Sequence, residues 1–143
     1  MLKELTIAGF HTRSRCSNKL DADGSTIAKR LEQIFFINGH QIWLGQRFIS
    51  DFLMECDATF SNNLLRMPLA NIVGITNTGH TFSLAFSFIR SESADNFDFI
   101  FDFLDELVFY NVPRPRVVLS DQHQQKNISR PMRPEVHSVQ DVN

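Results

Sequence analysis

The sequence predicts an α/β fold, a mixed sheet built in the order strand, strand, strand, helix, strand, with flanking helices. Three observations carry that expectation. Residues His80 to Ile89 alternate, with Phe82, Leu84, Phe86 and Phe88 on one face and Thr81, Ser83, Ala85 and Ser87 on the other. They directly follow the tight turn Asn77-Thr78-Gly79, and alternation after a glycine turn marks a hairpin. From Phe97 the apolar residues fall at Ile100, Phe101, Leu104 and Val108, the spacing of one helical face. Finally, Arg116-Val117-Val118-Leu119-Ser120-Asp121 is a short β-branched run of the kind buried at a sheet centre, and it stops at an acid.

Taken in order, residues 1–26 are mixed and polar, and Gly9, Asn18, Asp21, Asp23 and Gly24 interrupt any period; a weakly structured arm is expected. Leu31 to Ile37 reads as a strand ended by the turn pair Asn38-Gly39. Trp43, Leu44, Arg47, Phe48 and Phe52 are spaced as in a short amphipathic helix. Leu53 to Phe60 is the next strand, closed by Ser61-Asn62-Asn63, and Arg66 to Thr76 is the mostly apolar strand that enters the hairpin. Ser93 offers an N-cap, and Asp95 sits in the first turn where the helix dipole favours a carboxylate. Phe99, Phe103 and Leu107 widen the apolar face of that helix, and Pro113 and Pro115 end it. After Asp121 the chain is polar and without period, so residues 122–143 are expected to be a disordered tail beyond a domain spanning 27–121. Nothing in that tail completes the sheet, and an incomplete fold is the expectation.

The 143 residues suffice for one domain with a modest core, and fourteen phenylalanines against one Tyr and one Trp make that core aromatic-rich. A formal net charge of −2 lacks the basic excess usual in a nucleic-acid-binding module, so contacts to DNA must come from local basic residues. Cys16 and Cys56 lie far apart in no metal-ligand or CxxC spacing, which fits a reducing compartment. No apolar run has the length of a signal peptide core or a membrane span, so a soluble intracellular protein with no membrane partner is expected.

Two aspartates stand at strand ends, Asp57 in the Leu53 strand and Asp121 closing the Arg116 strand. Strand ends line the crevice where α/β sheets bind ligands. Carboxylates brought close together resist joint ionisation unless a cation neutralises them, and hard oxygen donors select Mg²⁺ or Mn²⁺. On spacing alone an acid closing a strand is more often a solvated turn residue. Glu55 lies two residues before Asp57 and therefore on the same face.

The wording of the sequence adds a resemblance. Cys56-Asp57-Ala58-Thr59-Phe60, Pro68-Leu69, Val73-Gly74-Ile75-Thr76-Asn77-Thr78-Gly79, Phe82-Ser83-Leu84-Ala85-Phe86, Ser91-Glu92-Ser93 and Val117-Val118-Leu119-Ser120-Asp121 together resemble the Mutator-like (MULE) transposase catalytic domain, over roughly residues 30–122. Arg30 to Asn38 and Gln46 to Phe52 look like the region leading into it.

That resemblance implies an RNase H-like fold and a DDE set of acids. The acids hold two divalent metals, Mg²⁺ or Mn²⁺, for DNA strand cleavage and transfer in an intracellular, nuclear setting. Asp57 matches the first acid and Asp121 the second, as catalytic and metal-binding residues. The third acid, a Glu on a later helix, has no match before the last residue here. The Cys/His insertion and the N-terminal zinc-finger-type region have none either. Glu135 lies too close to Asp121 to substitute. Glu55 replaces a usually apolar family position, either as an auxiliary ligand or as drift. Glu92 suits a capping or loop-ordering role, His80 an exposed hairpin position, and His123 a solvated tail. The expected function is thus a transposase fragment without turnover of its own. The alternative is a domesticated protein- or DNA-interaction module on the same scaffold. In either case self-association or a partner chain is expected to cover an exposed Phe82/Phe86 face.

Overall fold

The computed structural model describes residues 2–49, 53–59, 66–120 and 136–138. A short helix α1 (Leu2–Ile7) leads into the antiparallel pair β1 (Phe10–Leu20) and β2 (Thr26–Asn38). Helix α2 (Gly39–Leu44) continues as a π-helical turn over Gly45–Ile49. Then come β3 (Leu53–Thr59), β4 (Leu69–Ile75), β5 (Thr81–Ile89), helix α3 (Ala94–Leu107), β6 (Val117–Ser120) and β7 (Val136–Ser138). One seven-stranded sheet holds them in the order β1-β2-β5-β4-β3-β6-β7. Pairing is antiparallel from β1 to β3 and parallel from β3 through β6 to β7, the mixed α/β sheet expected, and it is consistent with an RNase H-like fold.

One face of the sheet is packed. Phe97, Ile100, Phe101 and Leu104 of α3 are buried against Phe35 and Ile37 of β2, Met54 and Cys56 of β3, Ala70 and Ile72 of β4, and Val118 of β6. Each such large side chain contributes about 1.5–3 kcal/mol by leaving water. Ser93 caps α3 by accepting from the Asn96 N–H, with Asp95 in the first turn, as its residue types foretell. The π-helical turn adds Ile49 to this core. It lies so close to β4 that a Cβ at Gly74 would collide with Ile49 and Phe82, so only glycine admits the approach.

Several expectations need correction. The N-terminal arm is not weakly structured. Phe10–Leu20 is an eleven-residue strand registered against β2 from Phe10↔Asn38 to Leu20↔Thr26. It packs without aliphatic residues. Arg13 lies over the Phe103 ring at 4.9 Å and pairs with Glu106 at 2.9 Å, Arg15 lies over Phe99 at 5.4 Å, and Phe10 meets Phe36 edge-on.

The helix expected from Trp43 begins earlier, at Gly39, because Asn38 and Gln41 form a reciprocal capping box. Trp43 remains 54% exposed, stacked on His40. The single alternation in β5 is interrupted. Ile72 pairs with Ala85 but Val73 with Ser83, so Leu84 is an extra residue, a β-bulge. Phe82, Leu84 and Ala85 therefore belong to the core under the helices, whereas Phe86 stacks on Phe36 across the other face at 5.5 Å. There is no common Phe82/Phe86 face for a partner to cover. Within the expected disordered tail, Val136–Ser138 pair in parallel with β6.

A buried polar knot ties the N-terminal pair to the rest. Gln33 donates from Nε2 to the Ser87 hydroxyl at 3.1 Å and to the Asn96 carbonyl at 2.9 Å. Arg15 donates to the Asn96 amide oxygen, and Asn96 donates onward to the Ser91 carbonyl. Gln33, Ser87 and Asn96 are all buried, so each bond is one that water cannot replace.

Candidate functional site

Alternation along β3 sorts its residues. Met54 and Cys56 enter the core, which leaves Glu55 and Asp57 on the opposite face. Asp57 is exposed and faces Asn71 of β4 in register, while Glu55 faces Val73 of β4 on one side and Leu119 of β6 on the other. The Asn71 Oδ1 is buried without a hydrogen-bond partner. An orphaned amide oxygen beside a carboxylate is a costly arrangement unless something donates to it or it meets a cation.

The strand that precedes the second predicted acid in sequence lies beside the first. β6 runs parallel to β3 with Val118 level with Met54 and Ser120 level with Cys56. Both strands point their carboxyl ends the same way. Asp121 itself, like His123 and Glu135, lies outside the described residues. Glu92 is half-buried just before the Ser93 cap, and His80 is exposed at the hairpin, where its N–H donates to Thr76.

Among the described residues no group of three or more His, Cys, Asp or Glu side chains is gathered closely enough to hold a metal ion. What is gathered is an oxygen-only set, the Asp57 carboxylate, the Glu55 carboxylate on the same face and the Asn71 amide. Such donors suit a hard divalent cation and not a soft one, so the residues fit part of a Mg²⁺ or Mn²⁺ site.

The family model of the MULE transposase domain matches residues 53–137, more than half of the chain. The chain belongs to the MULE transposase family. The match starts at Leu53, the first residue of β3, and ends within β7, so it takes in both strand ends just described. No curated protein and no solved structure matches the chain. No helix among the described residues is long and apolar enough to cross a membrane.

Sequence reasoning placed Asp57 and Glu55 correctly on one face of a strand. It missed Asn71, although a single polar residue in the apolar run Leu69–Ile75 was the available signal. It also missed Arg15, Gln33 and Asn96, whose pairing spans β1, β2 and α3 and leaves no local pattern.

Proposed function

We propose that this MULE transposase domain binds divalent metal, Mg²⁺ or Mn²⁺, through Asp57 and Asp121, and that it acts on DNA. The observation that carries this reading is the parallel register of β3 and β6. Ser120 is level with Cys56, and the residues that follow these two in sequence are Asp121 and Asp57. Residues level in adjacent parallel strands share a face, so both carboxylates would stand with Glu55 on the side away from α3. Divalent ions held there would supply a polarised phosphoryl group and stabilise attacking and leaving oxygens of an in-line displacement.

The chain's own residues do the positioning. Met54 and Cys56, anchored in the core, fix the rise and tilt of β3, so Asp57 is presented on a rigid strand and not on a loop. Glu55 adds a second negative charge on that face and holds the local field negative for cations. Asn71, level with Asp57, offers an amide that can accept from a metal-bound water or orient the carboxylate. The family's third acid has no counterpart among these residues.

Calorimetric titration with Mn²⁺ tests the reading. Saturable binding in the wild-type chain and its loss in Asp57→Asn, with an unchanged unfolding midpoint, are expected. A folded chain that binds no Mn²⁺ overturns the reading. It would favour a contact module that keeps the transposase scaffold for binding other molecules.

A further inference from the structure

The β1–β2 pair outruns the sheet. β2 is thirteen residues long, yet it pairs with β5 only from Gln33 to Phe36. From Cys16↔Leu31 to Leu20↔Thr26 the two strands therefore pair only with each other, as a free ribbon closed by the turn Asp21–Ser25. At about 3.3 Å per residue, the arm from Thr26 to Glu32 projects roughly 20 Å. A lone two-stranded ribbon is marginal in water, and this one exposes Leu20 and Ile27 at 56% and 57%.

The register fixes the direction of the projection. Thr59 is level with Leu69, Leu69 with Phe88, and Phe88 with Ile34. The amino-terminal half of β2 therefore leaves the sheet at the same end as Asp57. Two strands, β5 and β4, stand between β2 and β3. At about 4.8 Å per spacing the ribbon's base is roughly 14 Å from the Asp57 strand, less than the width of a nucleic-acid duplex.

Basic side chains project at this end, matched in number on the ribbon by Asp21, Asp23 and Glu32, in a chain that is −2 overall. Lys19, Lys29 and Arg30 lie on the ribbon, and exposed Arg66 and Arg90 lie where β4 begins and β5 ends. By the pairing Ser17↔Arg30 and Asn18↔Lys29, Lys19 and Arg30 point to one face of the ribbon and Lys29 to the other. Lys19 and Lys29 make no ion pair among the described residues. The acids nearby are mostly engaged. Asp21 accepts from the Asp23 and Ser25 N–H groups within the turn, and Glu32 accepts from Ser17 and Arg30. Asp23 stays exposed at the tip, which disfavours a tip-first approach to phosphate. A concavity lined by Ser17, Asn18, Lys19, Leu20 and Arg30 runs along the ribbon's flank instead.

We propose that the β1–β2 ribbon is a duplex-DNA clamp, gripping the phosphate backbone through Lys19 and Lys29 beside the strand end that carries Asp57. A two-stranded ribbon fits a major groove about 12 Å wide, and cations on both faces suit the two phosphate walls of such a groove. The clamp rests on the reading of this chain as a DNA-acting domain, and it adds where the duplex is held.

Fluorescence anisotropy with a labelled 30-base-pair duplex tests it, comparing wild type with Lys19→Gln/Lys29→Gln over a range of salt concentrations. Both lysines are exposed, so the unfolding midpoint should not move, and a melt confirms this. The expected result is at least a tenfold loss of affinity and a salt slope reduced by about 2, one for each lost phosphate contact. Wild-type affinity and slope in the double variant overturn the clamp alone and leave DNA action standing. No duplex binding by the wild type overturns both. Wild-type dimers that dissociate in the variant, without duplex binding, assign the ribbon to a second copy of the chain and also overturn the clamp.

Discussion

The β3–α3–β6 region and the β1–β2 pair belong to one sheet but are held by different forces. The first is an aliphatic and aromatic sandwich in which Met54, Ile72, Leu84, Phe97, Ile100, Leu104 and Val118 are all sealed from water. The second contributes Phe35 and Ile37 to that sandwich at its inner end and then departs from it. Its outer strand is fastened by arginine guanidinium groups over phenylalanine rings and by Arg15, which joins the Gln33–Ser87–Asn96 knot at Asn96. Hydrophobic burial tolerates small shifts, whereas a buried polar knot demands one register. The core thus supplies most of the stability, and the knot fixes how the N-terminal pair sits on it.

The largest effect should come from separating the two. A chain starting at Leu53 keeps the whole family-matched segment but loses Phe35, Ile37 and Ile49 from the core, and it exposes the β5 edge. Each lost side chain costs about 2–5 kcal/mol, which together is comparable to the whole stability of an ordinary domain. Circular dichroism on heating should show no cooperative transition. A sharp transition in that fragment would show that the N-terminal pair is an accessory and not part of the fold.

Asn96→Ala comes next. It leaves the Arg15 guanidinium without the acceptor it shares with α3 and removes the donor to Ser91, at a cost of about 2–3 kcal/mol in chemical denaturation. Arg13→Ala should cost less, about 1 kcal/mol, because its pair with Glu106 is half exposed and only the contact with Phe103 is sheltered. If Arg13→Ala proves the worse of the two, the arm is held by surface cations and not by the knot.

The smallest effect is a pH dependence of the ribbon's base. The Ser17 hydroxyl, followed by the Arg30 guanidinium, holds the Glu32 carboxyl below its ordinary value. A depressed carboxyl stabilises the fold above the unfolded-state value, and that stabilisation is lost as pH falls through the folded value. Glu32→Gln should therefore lower the neutral plateau slightly, flatten the acid limb of the stability curve and leave the stability at its acid end nearly unchanged. An unaltered acid limb would mean that Ser17 and Arg30 do not hold Glu32 in solution.

The same contrast explains what the sequence disclosed. The strands from Leu53 to Ser120 and the helix after Ser93 were legible because apolar periodicity and a cap announce burial. β1 was not, because Thr12, Arg13, Ser14 and Arg15 read as polar coil until α3 supplies rings for the guanidinium groups. The bulge at Leu84 was invisible for a related reason. Both Leu84 and Ala85 tolerate burial, and only the partner strand decides which residue is the extra one. Of the site, Glu55 and Asp57 were legible from strand alternation. Asn71 was not, because its place opposite Asp57 depends on cross-strand register. Asp121 was singled out as the acid closing a β-branched strand; it lies outside the described residues, and the structure shows only that β6, which precedes it, pairs in parallel with β3.

The most direct measurement is a double-mutant cycle of Mn²⁺ affinity over wild type, Asp57→Asn, Asp121→Asn and the double variant. Carboxylates that share one ion are predicted to be non-additive, each single variant losing nearly as much binding as the double. Binding losses that simply add, or an Asp121→Asn variant that binds as the wild type does, would contradict a shared metal site at the ends of β3 and β6.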